Sequence, residues 1–236
     1  MMKLDSLADA ESIQSIQIVY QDFDATHNLI ERLELSPAKG LIVLNAGTFP
    51  ESNHVKLRIK TLINKLAEIV VEDGLTVIDE GVTTGVFKLF NDALEKLGGP
   101  CAPYIGVANQ SNVERYGLGS QHSHIVLPKA CNMENGTKII YHLAKTIDTD
   151  CPSISLFVGG GELAIEQMLT NVCQQRKMLF FAGSKGSTDQ VLHSGVMAEA
   201  SDIRFRKIFY EGQIVPFGIY QPATTLKSTI RGMLIP

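Results

Sequence analysis

The chain has 236 residues, 44% of them hydrophobic and 19% charged, with a net charge of −4. That length fits one large domain or two small ones, and the apolar content is enough for a sizeable core. The acidic balance argues against a protein that grips a nucleic-acid backbone, which calls for a basic excess, but it leaves room for a nucleotide pocket with one or two local cations.

Residues 1–15 read as loosely structured or as a short helix, and they lack the long apolar core of a signal peptide. Residues 16–20, IQIVY, form a β-branched run that predicts an edge strand. GLIVLN at 40–45 is a near-continuous apolar strand, the pattern of a sheet covered on both faces. A turn of small residues follows, AGTFPES, and then Val55, Leu57, Ile59, Leu62, Ile63, Leu66, Ile69 and Val70 recur at helical spacing over 55–71. The cycle repeats with a strand at 75–78, a turn at 79–85, and a helix at 86–97 that Gly98, Gly99 and Pro100 stop. A strand at 103–108, a polar loop NQSNVERYGLGSQHS, a strand at 124–127 and a helix over 136–147 come next. Strands at 154–158 and 178–182 are each followed by a glycine turn and a helix. Beyond residue 200, RFRKIFY (204–210) and QIVPFGIY (213–220) read as β pieces joined by a hairpin at Glu211–Gly212, with Pro216 placing the second at a sheet edge.

This alternation predicts a single α/β domain over residues 1–236, a Rossmann-like three-layer sandwich with a mostly parallel sheet and a short C-terminal β extension. No apolar run of about 18 residues exists to span a membrane. Cys101, Cys131, Cys151 and Cys173 are scattered, with no C-x-x-C pair and no His–Cys cluster. Neither a metal site nor a disulfide framework is expected, and a cytoplasmic, reducing setting is the default.

Ligands of open parallel sheets bind beyond the carboxyl ends of the strands. Four turns gather small and polar residues there: AGTFPES at 46–52, DEGVTTG at 79–85, GGGE at 159–162 and AGSKGSTD at 182–189. In LFVGGGELAIE, Gly159, Gly160 and Gly161 let the backbone turn tightly, and the helix that follows presents free N–H groups to an anion. Glu162 and Glu166 are four apart and share a face of that helix. Gly47 and Thr48 belong to the first turn and Glu80 and Gly81 to the second. Thr83, Thr84 and Gly85 precede a helix, where a hydroxyl caps it or meets a phosphate oxygen. Gly183, Ser184, Lys185 and Ser187 resemble a phosphate nest but lack the G-x-x-x-x-G-K-[ST] spacing. Asp79 and Glu80 end a strand, as ribose-binding acids do in dinucleotide folds. Arg115 and Tyr116 suit a phosphate clamp and a base stack, or an ordinary loop. His122 and His124 alternate about Ser123 with no third metal ligand in sight, which favours a ligand-edge or structural hydrogen bond.

Assembled, these turns resemble the SLOG superfamily, most closely the N-terminal homology region of TRPM channels in its stand-alone prokaryotic form. EGVTTGVFK at 80–88 is similar to the family's G-x-T-G-V-M-K turn. IGVAN at 105–109 with SQHSHIVL at 120–127 resembles its strand and His-x-His segment. ISLFVGGGE at 154–162 and AGSKGSTD at 182–189 look like its last two glycine turns, so the resemblance runs over about 40–195. It implies recognition of a nucleotide or nucleotide derivative, ADP-ribose-like molecules among them, with no cofactor. A more distant branch, the Lonely Guy phosphoribohydrolases, carries P-G-G-x-G-T-x-x-E. Residues 158–166 keep the glycine pair and Glu166 but replace the proline, third glycine and threonine, and residues 136–150 offer only Lys138 and Lys145 where those enzymes place an arginine.

Three readings follow. The first is a binding module for a nucleotide-derived signal. The second is an N-glycosidase-type enzyme in which Glu166 is catalytic. The third is an interaction domain whose glycine turns are packing devices. A homo-oligomer is the plain expectation, and a signalling role would need a separate effector protein.

Overall fold

The computed structural model describes residues 17–21, 29–47, 52–128, 133–195 and 202–235. The expectation for residues 1–15, and the site residue Thr48, lie outside them. In chain order the elements are β1 (Gln17–Gln21), α1 (Leu29–Leu33), β2 (Leu41–Ala46), α2 (Asn53–Asp73), β3 (Thr76–Asp79), α3 (Gly85–Lys96), β4 (Tyr104–Val107), α4 (Gln110–Tyr116) and β5 (His124–Pro128). Then come α5 (Met133–Ile147), β6 (Ser153–Val158), α6 (Glu162–Gln174), β7 (Lys177–Ala182), α7 (Gly186–Ser194), α8 (Ile203–Glu211), β8 (Ile214–Gly218) and α9 (Thr224–Met233).

The strands form one eight-stranded sheet in the order β1-β5-β4-β3-β2-β6-β7-β8, and every pairing is parallel. Successive side chains of a strand point to opposite faces, and this alternation builds three layers. Ile42, Leu44 and Val77 join a core with α2, α3 and α9, whereas Leu41, Val43 and Ile78 pack with α1 and α5. Phe157, Met178 and Phe180 pack on that second side with α6, α7 and α8. Burial on both faces explains the unbroken apolar runs of β2 and β6. On α2 the buried stripe is Val55, Ile59, Leu62, Ile63, Leu66, Ala67, Ile69 and Val70, while Leu57 is 60% exposed because it falls out of phase.

Two expectations need correction. RFRKIFY is helix α8, not a strand, and Glu211–Gly212 is the end of that helix, not a hairpin. Phe205, Ile208 and Phe209 pack inward at helical spacing, and the Asp202 carboxylate caps the helix by accepting from Arg204 N at 2.9 Å. The alternation of Arg204, Phe205 and Arg206 imitates a strand only over its first turn. The stretch after β4 is likewise not all loop: Asn109 Oδ1 accepts from Asn112 N at 2.8 Å and starts α4. The β extension at the carboxyl end is β8, which lies at the sheet edge beside β7 and carries Pro216, as a strand with one unpaired side allows.

Candidate functional site

The strand order reverses between β2 and β6. These neighbours run in register from Leu41 with Ser153 to Ala46 with Val158. In a doubly wound sheet such a reversal opens a crevice at the carboxyl ends. The turns after β2, β6 and β7 meet there backbone to backbone. Gly47 N donates to Val158 O at 3.0 Å, and a Cβ on Gly47 would lie 2.4 Å from Gly160 N. A Cβ on Gly186 would lie 2.2 Å from Gly160 O. Gly160 itself has φ +106°, a conformation in which side chains are strained.

The β7–α7 turn holds this glycine turn in place. Ser184 Oγ accepts from Gly159 N at 2.8 Å, Ser187 Oγ donates to Gly161 O at 2.8 Å, and Thr188 Oγ1 donates to Gly159 O at 2.5 Å. Ser184 and Ser187 are buried, so their hydroxyls shape the turn rather than face a ligand. The amides of Gly183 and Lys185 donate to the Asp189 carboxylate at 2.7 and 2.8 Å. The nest expected in this turn is therefore filled by the chain's own acid, and what remains for a ligand is the exposed Lys185 side chain. Lys185 sits at φ +73°, ψ −171°, a region that is almost wholly glycine's and costs about 1–3 kcal/mol otherwise.

The start of α6 is different. Gly161 O takes the amides of Ala164 and Ile165 at 3.1 and 3.3 Å, and no side chain caps the helix. Among the described residues nothing accepts from the amides of Gly160, Gly161, Glu162 or Leu163. Four donors and the positive end of a 13-residue helix thus lie at the carboxyl end of β6 without a protein acceptor among the described residues, Gly160 N packed between Gly47 and Gly186. Thr84 begins α3 on the same rim, also without a side-chain cap bond. Thr83 is turned away: its hydroxyl donates to Tyr116 O and its amide to Gly117 O at 3.2 Å, which fastens the β3–α3 turn to the end of α4.

Below the rim, the two acids that end β3 divide. Asp79 is wholly buried; it accepts from Gly81 N at 2.7 Å and from the Tyr104 hydroxyl at 2.5 Å, and meets His122 Nε2 at 2.8 Å. It is a structural acid. Glu80 instead reaches a pocket of about 20 Å³ shared with Asn109, Thr137 and Leu163, room for about one water. Burial, and then the charge of Asp79, push its carboxyl up to about 7.

The family model described as SLOG in TRPM, prokaryote, matches residues 41–227. The chain belongs to this family. No curated protein matches it in sequence. Among solved structures, the X-ray structure of TM1055, a structural genomics target, is similar with a TM-score of 0.56 and 12% identity, over 82% of this chain and 99% of that one. At that identity the likeness concerns the fold alone, and it agrees with the parallel three-layer sheet.

Within this SLOG domain, His124 lies apart from the other expected site residues, and Arg204 joins them unexpected. His124 opens β5, so it lies at the amino end of the sheet, away from the crevice; Ser123 Oγ is 2.8 Å from its Nδ1, and burial lowers its pKa against an opposing bond to the backbone of Leu33. The missed residue is Arg204. From the start of α8 its guanidinium pairs with Glu162 and, at 3.4 Å, with Glu166, while Asp202 holds its other side at 2.6 Å. Read as part of a strand, it had no reason to be placed beside α6. A buried polar network beneath the crevice was also invisible: the Tyr141 hydroxyl donates to Asn45 at 3.0 Å and accepts from Asn171 at 2.9 Å, tying α5 and α6 to β2. Among the described residues no three His, Cys, Asp or Glu side chains gather as a metal site requires, and no helix is long and apolar enough to cross a membrane.

Proposed function

We propose that this SLOG domain binds a nucleotide-derived small molecule, ADP-ribose-like in chemistry, at the reversal between β2 and β6, and does so without turnover. The observation that carries this reading is the row of unpartnered amides from Gly160 to Leu163 at the start of α6. A phosphate oxygen accepts such donors, with the helix dipole adding to the attraction. Lys185 supplies a movable positive charge from the adjoining turn, and its strained backbone is the mark of a residue kept for function. The pocket at Glu80 admits a ribose hydroxyl, not a base or a phosphate, so the phosphates belong outside it over the glycine turn. A homodimer and a separate effector protein complete the proposal for a signalling role.

Thermal melting with AMP, ADP-ribose, cyclic ADP-ribose and NAD tests it. A true ligand at a hundredfold excess over its Kd stabilises the fold by roughly 2.7 kcal/mol. Melting curves unmoved by every one of these compounds would remove the proposal. Lys185→Gly should separate strain from binding: stability in urea rises by about 1 kcal/mol or more as the backbone relaxes, while affinity for the phosphate-bearing ligand falls. An unchanged Kd would take Lys185 out of the site.

Arg204 gives a second reading its support. The arginine that a phosphoribohydrolase places on the helix before β6 is not restored there, but α8 brings Arg204 to 3.4 Å from Glu166. There Glu166 would assist base departure while the turn amides hold the phosphate. Chromatography of the melted samples for free base separates the two readings. Base release that Glu166→Gln abolishes would establish the enzyme.

A further inference from the structure

We infer that a second small-molecule site lies at the amino end of the sheet, opposite the crevice, and that it takes a fragment-sized apolar amine carrying a hydroxyl at its inner end. The cavity there measures about 230 Å³. A dry cavity of about 150 Å³ already holds benzene, so this one has room for a substituted ring. Its walls are mainly apolar, from Ile30 of α1, Leu35 and Ala38 of the following segment and Ile147 at the end of α5, with Ser36 and Thr146 between them.

The inner end is polar. Thr76 is 1% exposed, lines the cavity, and its Oγ1 has no hydrogen-bond partner. It shares the face of β3 with Ile78, the face that α1 and α5 cover, so its side chain turns toward the cavity. Nearly all buried hydroxyls in folded proteins are bonded, and an orphan one calls for a partner that arrives from outside. The outer end is acidic: Asp150 lines the cavity and is exposed. Its neighbour Asp148 is engaged by Arg176 at 2.5 Å, whereas among the described residues no ion pair engages Asp150. An apolar body, a hydroxyl for Thr76 and a cation for Asp150 together define the ligand class.

Tyramine has all three features, 4-ethylphenol lacks the amine and 2-phenylethylamine lacks the hydroxyl. Titration of the ¹⁵N-labelled protein with each, followed by amide shifts, tests the site. Tyramine should bind saturably, with shifts at residues 30–38, 76 and 146–150, and each truncated compound should bind more weakly. Thr76→Val keeps the shape and removes the hydroxyl. It should raise the melting temperature, weaken tyramine about tenfold, and leave 2-phenylethylamine unchanged. Asp150→Asn should weaken tyramine and spare 4-ethylphenol. Absence of saturable shifts in these segments, or equal tyramine affinity in wild type and Thr76→Val, would overturn the inference.

Discussion

Gly47→Ala should destabilise the fold by about 3 kcal/mol, the sum of overpacking and of a lost backbone hydrogen bond. The added Cβ would meet Gly160 N at 2.4 Å and Gly160 Cα at 2.5 Å. Both are backbone atoms, so no rotamer change relieves the clash. The ends of β2 and β6 must separate where Gly47 N donates to Val158 O. At roughly 2–4 °C per kcal/mol for a chain of this size, the melting temperature should fall by about 10 °C. Gly161→Ala is the control: nothing lies within 4 Å of its Cβ position and its φ is negative at −126°, so only its ψ of −148° strains an alanine and the loss should be at most about 1 kcal/mol. Two variants on the two sides of the reversal, one severe and one mild, would show that the contact across it is what matters. Equal melting temperatures for Gly47→Ala and Gly161→Ala would contradict the packing described for the crevice.

The second large effect is on pH. Glu80 has its folded-state pKa raised to about 7 from 4.5, chiefly by burial. Between those values the folded state holds a proton that the unfolded chain has released. Stability therefore falls as pH rises from about 4.5 to about 7, and above that window the ionised carboxylate costs the fold about 3 kcal/mol. Glu80→Gln cannot ionise and removes this slope. Urea unfolding should find the two proteins nearly equal at about pH 4.5 and the variant more stable by about 3 kcal/mol at about pH 8. Parallel stability curves across this range would mean that the carboxyl is solvated after all. For binding, the sign is opposite. A ribose hydroxyl donates best to the ionised carboxylate, so wild-type affinity should rise through about pH 7 while that of Glu80→Gln stays flat.

The sheet was legible because burial on both faces writes itself into sequence as apolar runs, and because glycine punctuates every strand end that must turn tightly. Leu41–Ala46 and Ser153–Val158 show both features. What failed was short-range periodicity. In Arg204–Tyr210 the first three residues alternate and the next four have helical spacing, and only the cap at Asp202 decides between them. Helix α9 was missed because Leu226, Ile230 and Met233 are its buried residues and the rest of the segment is polar.

The rim of the site was legible for the same reason as the strands: Gly47, Gly160 and Gly186 have no room for a side chain. The roles within it were not. Whether Ser184, Ser187 and the amides of Gly183 and Lys185 face a ligand or the chain itself depends on Gly159, Gly161 and Asp189, and spacing does not say which partners fold against them. His124 shows the complementary limit. It opens a strand of a sheet read as mostly parallel, which already puts it at the amino end, and it was the resemblance of the His-x-His segment that drew it toward a ligand. Arg204 reaches Glu162 across 42 residues, a pairing that no local pattern carries.

The most direct test of the central claim is an amide NMR titration of the ¹⁵N-labelled protein with ADP-ribose. The account predicts saturable shifts for Gly160, Gly161, Glu162 and Leu163 that exceed those elsewhere, because these amides gain a phosphate acceptor where they have none among the described residues. Saturable binding whose shifts leave those four amides still would place the ligand elsewhere and contradict the account.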